Sequence, residues 1–126
     1  MLLKCPHGNA PGSNAVLPAW RDALYTLNVA IGFNPDVPPE ELQVVQAKVN
    51  TWQALFSPLT PGGGAYMNEA TFDDPGWKVD YFGENYDALL ENKKKYDPNF
   101  ALWQHTPVGA DAYWEVAEDG RLCRVP

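Results

Sequence analysis

The sequence predicts a mixed α+β chain, and three observations predict it. Residues 23–33 alternate apolar and polar with a period of two, residues 40–56 carry an apolar stripe with 3–4 spacing, and Asp119-Gly120 separates two short runs near the end. A strand, an amphipathic helix and a hairpin are therefore expected. The 126 residues hold at most one compact core.

Residues 1–17 are rich in Pro, Gly, Asn and Ser without periodicity and read as a tail or as an entry segment that needs a partner. In residues 23–33, Tyr25, Leu27, Val29, Ile31 and Phe33 fall on one strand face, and Leu24, Thr26, Asn28 and Ala30 fall on the other. The β-branched and aromatic side chains favour a strand over a helix, and Gly32-Phe33-Asn34-Pro35-Asp36 stops it. A strand needs a sheet, and this chain offers it few neighbours, so marginal stability or aggregation is expected of the isolated chain.

Pro38-Pro39 followed by Glu40 and Glu41 opens a helix, because proline has no donor to leave unpaired there and carboxylates suit the positive end of the helix dipole. Leu42, Val45, Val49, Trp52 and Phe56 form its stripe, and Ser57-Pro58 ends it. Residues 59–64, with Pro61 and three consecutive glycines, form a connector. A phosphate-cradling loop would need Gly-Lys-Ser/Thr at the start of a helix, whereas Gly64 leads into the strand-like Ala65-Tyr66-Met67-Asn68-Glu69.

Residues 71–77 read as a turn-rich loop around Asp73-Asp74-Pro75-Gly76. Phe82, Tyr86, Leu89, Leu90, Lys93 and Tyr96 then suit a second helix, stopped by Asp97-Pro98. The basic run Lys93-Lys94-Lys95 complements the dipole in its last turn. Residues 114–125 read as a hairpin with a type I′ turn at Asp119-Gly120. That register pairs Glu118 with Arg121, Glu115 with Arg124 and Trp114 with Val125.

Composition narrows the function classes. Lys and Arg total 9 against 16 Asp and Glu, a formal charge of −7 that repels polyanions, so no nucleic-acid partner is expected. No window approaches the roughly 18 apolar residues that a membrane span needs, and no membrane partner is expected either. His7, His105, Cys5 and Cys123 lack the paired spacing of metal motifs, so no metal site is expected. Cys5 and Cys123 can close one long loop or stay as free thiols. Ser13 and Ser57 lack the flanking glycines of a nucleophile elbow, and Asp73-Asp74 and Glu40-Glu41 read as solvated charges.

Several ordered motifs carry a resemblance. Gly64-Ala65-Tyr66-Met67-Asn68-Glu69-Ala70 is followed by Pro75-Gly76-Trp77, Tyr81-Phe82-Gly83-x-Asn85-Tyr86, Lys93-x-Lys95-Tyr96-Asp97-Pro98 and Glu118-Asp119-Gly120-Arg121-Leu122-Cys123-Arg124. Together they resemble the carboxyl-terminal end of fungal berberine bridge enzyme-like flavoproteins, whose fold is of the vanillyl-alcohol oxidase type. Upstream, Asn14-Ala15-Val16-x-Pro18-Ala19-Trp20-Arg21 is similar to the segment where that family enters a late strand of its substrate domain. The resemblance covers most of residues 14–125.

The resemblance implies two units, a partial substrate-domain segment over 1–57 and a berberine-like carboxyl-terminal segment over 58–126. It implies part of an FAD-dependent oxidoreductase that oxidises a small organic substrate by hydride transfer to flavin, with oxygen as acceptor. The partner it implies is a missing amino-terminal FAD domain, because the family's flavin-attaching His and Cys and its pyrophosphate-binding loops match nothing here. The chain alone is then expected to be inactive. Tyr66 is implied as catalytic, and Asn68, Asn85 and Tyr86 as cofactor-binding.

The chemistry suits those types. An Asn amide donates and accepts at once, as the isoalloxazine edge requires, and a Tyr hydroxyl can bond substrate or help remove a proton. Glu69 is a weaker candidate, since Thr71 stands where an acidic residue is commoner in the family. The residue pattern alone also allows Tyr66 and Tyr86 simply to pack. The alternative function is a non-catalytic interaction or remnant domain, with the stripe from Leu42 to Phe56 covered by another chain.

Overall fold

A computed structural model describes residues 10, 12–32, 34 and 36–126. Its elements are a 3₁₀ turn at Pro18–Arg21, helix α1 at Pro39–Phe56, a 3₁₀ turn at Ser57–Leu59, a π turn at Lys78–Phe82, a 3₁₀ turn at Gly83–Asn85, helices α2 at Tyr86–Tyr96 and α3 at Ala110–Tyr113, and strands β1 at Trp114–Val116 and β2 at Leu122–Arg124. The chain is mixed α+β, with β1 and β2 paired antiparallel in one two-stranded sheet.

Packing centres on residues 77–113. Tyr81, Phe82, Phe100 and Ala110 are buried there, and Leu17 joins them from the amino-terminal side. Trp77, Phe82 and Tyr86 meet at centroid separations of 5.5–6.1 Å, the edge-on and tilted geometry that aromatic quadrupoles favour. Phe100 stacks on Tyr113 at 4.5 Å. Its backbone sits at φ 50, a left-handed conformation that costs a non-glycine residue about 1–2 kcal/mol. The surroundings fix it there: Phe100 N–H donates to Asp97 O, and Trp114 Nε1 donates to Phe100 O at 2.8 Å.

Helix α1 begins at Pro39 with Glu40 and Glu41 in its first turn. Leu42, Val45, Val49 and Trp52 are half-buried, but no residue of α1 is fully buried. Its inward polar residues hold the 71–73 loop: Asn50 Nδ2 donates to Asp73 Oδ2 at 2.8 Å, and Gln46 Nε2 donates to Asp73 Oδ1 and Thr71 Oγ1.

Four expectations need correction. Residues 23–32 form no strand, and Leu24, Tyr25 and Leu27 stand exposed at 76%, 77% and 63%. The alternation is present, but the only sheet among the described residues is the β1–β2 pair, and a strand exists only through its ladder. Phe33 lies outside the described residues. Residues 65–69 also form no strand; Glu69 N–H donates to Tyr66 O at 2.9 Å and closes a turn.

The second helix starts at Tyr86 rather than Phe82, because Gly83 adopts φ 56 and breaks the helical path after the π turn. The hairpin register is one residue away from the expected one, with Trp114 opposite Arg124, Glu115 opposite Cys123 and Val116 opposite Leu122. A type I′ turn needs positive φ at two residues, and here Gly120 alone has it. The bonds from Gly120 N to Ala117 O and from Ala117 N to Arg121 O define a three-residue loop with a glycine bulge. Asp119 consequently pairs with Arg121, at 2.7 Å, in place of the expected cross-strand charge pairs.

Candidate functional site

The turn after the glycine connector builds an exposed corner. Gly64 is needed for the approach, since a Cβ there would stand 2.4 Å from Leu17 Cδ2 and 2.7 Å from Asp80 O. Its neighbour Ala65 donates N–H to Asp80 O at 2.7 Å, pinning the turn to the π turn. Beyond that anchor, Tyr66 and Asn68 project together, and Asn68 Nδ2 donates to Tyr66 Oη at 2.8 Å. The Tyr66 ring meets Trp20 edge-on at 6.1 Å.

Because the phenol oxygen accepts from Asn68, the hydroxyl hydrogen of Tyr66 is left for an outside acceptor. Asn68 also lines an open groove of about 500 Å³ with Met67, Phe72, Trp103, Gln104 and His105. Its aromatic wall is ordered by contact: His105 lies 5.2 Å from Phe72 and 5.1 Å from Trp103 between ring centres. Trp103 is itself anchored, its Nε1 donating to Ala110 O at 3.0 Å.

Asn85 and Tyr86 sit elsewhere. Asn85 is buried, and its Nδ2 donates to Val16 O at 2.9 Å. Tyr86 is half-buried beside Trp77 and Phe82, and its hydroxyl accepts the Gly109 N–H at 3.3 Å. The Lys78 ammonium lies 5.3 Å above the Tyr86 ring and pairs with Asp111 at 2.6 Å; that bond raises the Lys78 pKa. Thus Tyr66 and Asn68 share the exposed corner, while Asn85 and Tyr86 bind the chain's own backbone. Asn85 nevertheless ties Val16 close to the Pro18–Arg21 turn that carries Trp20 against Tyr66.

Glu69, the weaker candidate, accepts from Asn28 Nδ2 at 2.9 Å and so tethers the 23–32 segment. Cys5 and His7 lie outside the described residues. Among the described residues, no three His, Cys, Asp or Glu side chains gather as metal ligands, and no helix is long and apolar enough to cross a membrane. The groove residues Phe72, Trp103 and His105 were not singled out as a binding surface in the sequence. They lie outside periodic segments, and the closeness of Trp103 and His105 in sequence was the one signal available.

The flavin implied by the resemblance can be tested against this corner. A flavin ring needs donors and acceptors at its edge and flat apolar surface at its face. Tyr66 and Asn68 supply the first on exposed side chains, and Met67, Phe72 and Trp103 supply the second. The residues present fit the ring portion of the group.

Comparison with known proteins places these observations. The sequence profile described as berberine and berberine like matches residues 65–109, which contain the Tyr66–Asn68 corner, α2 and the groove's aromatic wall. A VAO-type flavoprotein oxidase of Thermothelomyces thermophilus is 38% identical over 89% of this chain and 20% of its own length. A bifunctional decalin synthase of Penicillium decumbens is 42% identical over 91% of this chain and 20% of its own length. The crystal structure of a VAO-type flavoprotein from Myceliophthora thermophila superposes with a TM-score of 0.75 and 36% identity, over 89% of this chain and 20% of that one. The chain spans about a fifth of the length of the curated relatives it matches. Residues 65–109 are thus similar to the berberine-like segment, and the chain as a whole is similar to a fifth of proteins described as FAD-linked oxidoreductases and VAO-type flavoproteins.

Proposed function

We propose that this chain is the carboxyl-terminal part of an FAD-dependent oxidoreductase and supplies one wall of its flavin and substrate pocket. The observation that carries the reading is the Tyr66–Asn68 pair, bonded to each other at 2.8 Å on an exposed corner beside an aromatic groove, within the residues matched by the berberine-like profile. The remainder of the pocket comes from an amino-terminal FAD domain, and the chain alone is inactive.

Tyr66 and Asn68 would face the ring of FAD, and the chemistry that the cofactor would supply there is hydride acceptance from a small organic substrate, with oxygen as the final acceptor. Asn68 fixes the Tyr66 phenol and offers its carboxamide to the ring edge. Tyr66 Oη orients the substrate, and in its phenolate form, held by the Asn68 donor, it is the atom at which the substrate's proton is received. Asn85 and Tyr86 contribute as cofactor-side residues by holding the wall: Asn85 through Val16, Tyr86 through Gly109. The groove at Trp103 and His105 excludes water from the apolar part of the substrate.

A graft tests this. Residues 14–125 replace the matching fifth of the Thermothelomyces oxidase, and flavin reduction is followed anaerobically by stopped flow. Tyr66→Phe is expected to slow reduction by about 100-fold or more, the scale of a lost acid–base group, with the flavin spectrum retained. An unchanged reduction rate would remove Tyr66 from the chemistry.

The second reading, a non-catalytic interaction or remnant domain, is favoured by the exposure of Leu24, Tyr25 and Leu27. On that reading the grafted protein binds no flavin, while the purified chain self-associates through this segment.

A further inference from the structure

One cluster lies outside the flavin reading. Asp74 is 5% exposed; its Oδ1 accepts the Gly76 N–H at 2.8 Å, and its Oδ2 is buried without a donor. Asp80 closes on the same glycine: a Cβ on Gly76 would stand 3.3 Å from Asp80 Oδ2 and 3.4 Å from Asp74 Oδ1. A buried carboxylate oxygen with no donor is costly, and two carboxylates at close range do not both ionise.

Asp74 Oδ2 accepts no bond in the structure, although the Tyr81 hydroxyl also comes within hydrogen-bonding reach of the Asp74 carboxyl. Tyr81, the next residue along, donates its hydroxyl to Thr71 O. Lys78, the cation on the same π turn, is turned to Asp111. Asp73 adds a further negative charge from the loop, and α1 brings only the neutral amides of Gln46 and Asn50, which bond Asp73. A single proton between the two carboxyl groups satisfies the orphaned oxygen and removes the repulsion together.

We propose that Asp74 and Asp80 share one proton, carried on Asp80 and donated to Asp74 Oδ2, and that this acid–carboxylate pair positions the Tyr66 corner. The connection is direct, because Asp80 O accepts the Ala65 N–H at 2.7 Å. The electrostatics agree: burial first, and then the charge of Asp74, push the Asp80 carboxyl above its ordinary value. Burial and the Asp74, Asp80 and Asp73 carboxylates push the Tyr81 phenol up as well. The pair exists whether or not flavin is bound.

The sign of the pH dependence follows. Asp80 holds its proton more tightly folded than unfolded, so the stabilisation is fully present below the ordinary Asp value and is lost as pH rises through the raised folded one. Thermal melts of the 126-residue chain between about pH 4 and about pH 8 should therefore show a melting temperature that falls as pH rises.

Asp80→Asn keeps a donor for Asp74 Oδ2 without the charge. It should flatten that fall and melt about 3–6 °C above the parent at the upper pH. Asp73→Asn should leave the fall intact. A carbon-13 carboxyl titration of the unmodified chain decides independently of how the variants fold: one carboxyl should titrate above the ordinary range, and the Ala65 amide resonance should move with the same midpoint. Two ordinary carboxyl titrations, or an Asp80→Asn protein that keeps the full pH slope, would overturn the proposal.

Discussion

Gly109 concentrates two physical constraints in one residue, and replacing it by alanine separates them. Its backbone sits at φ 77, where a Cβ costs about 1–2 kcal/mol. That Cβ would also stand 2.2 Å from Phe100 Cε1, 3.0 Å from Phe100 Cδ1 and 3.1 Å from Leu90 Cδ1. Phe100 has nowhere to go, being 2% exposed and stacked on Tyr113 at 4.5 Å. Overpacking of a filled core costs about 1–3 kcal/mol, so Gly109→Ala should lose about 2–5 kcal/mol in all. Gly120→Ala is the matched control: its φ is 80, but nothing lies within 4 Å of the added Cβ, so only the backbone cost of about 1–2 kcal/mol remains. Urea unfolding followed by tryptophan fluorescence measures both, provided the slopes agree. If the two variants lose the same stability, the close packing of Phe100 against Gly109 is not a determinant of this fold.

Three further outcomes are expected. Asp97 gathers the Lys93 ammonium and the Ala101 and Leu102 amides at 2.6–3.0 Å, and those bonds, the Lys93 one foremost, lower its pKa. Its contribution is therefore present above the ordinary Asp value and lost as pH falls through the depressed one; Asp97→Ala should melt lower than the parent at neutral pH, with the gap closing in acid, as read by circular dichroism. Trp114→Phe removes the donor to Phe100 O and should cost about 1–3 kcal/mol in urea titrations, the range for an unpaired buried carbonyl. Tyr66→Phe and Asn68→Ala, both on exposed side chains, should each change stability by no more than about 0.5 kcal/mol, so any larger loss in the same titration would assign that pair a structural task.

Much of the local structure was legible because it depends on neighbours in sequence. Pro39 with Glu40 and Glu41 fixed the start of α1, and Asp97-Pro98 fixed the end of α2. The misread elements depend on distant partners or on single dihedrals. Residues 23–32 have the alternation of a strand and no ladder to join, and the hairpin register turned on whether Asp119 as well as Gly120 would take a positive φ. The Tyr66–Asn68 pair came from a motif, and the structure adds their mutual bond. The groove across Phe72, Trp103 and His105 joins segments some thirty residues apart, a closeness with no periodic trace. The Asp74–Asp80 pair stayed hidden for a related reason: adjacent acids in a loop look solvated until burial is known.

The most direct measurement is the flavin content of the grafted oxidase, read from its visible absorbance after exhaustive dialysis. With residues 14–125 of this chain in place, the protein should stay yellow, hold about one flavin per polypeptide and bleach when substrate is added anaerobically. A graft that is folded by circular dichroism yet colourless would show that these residues do not complete a flavin pocket.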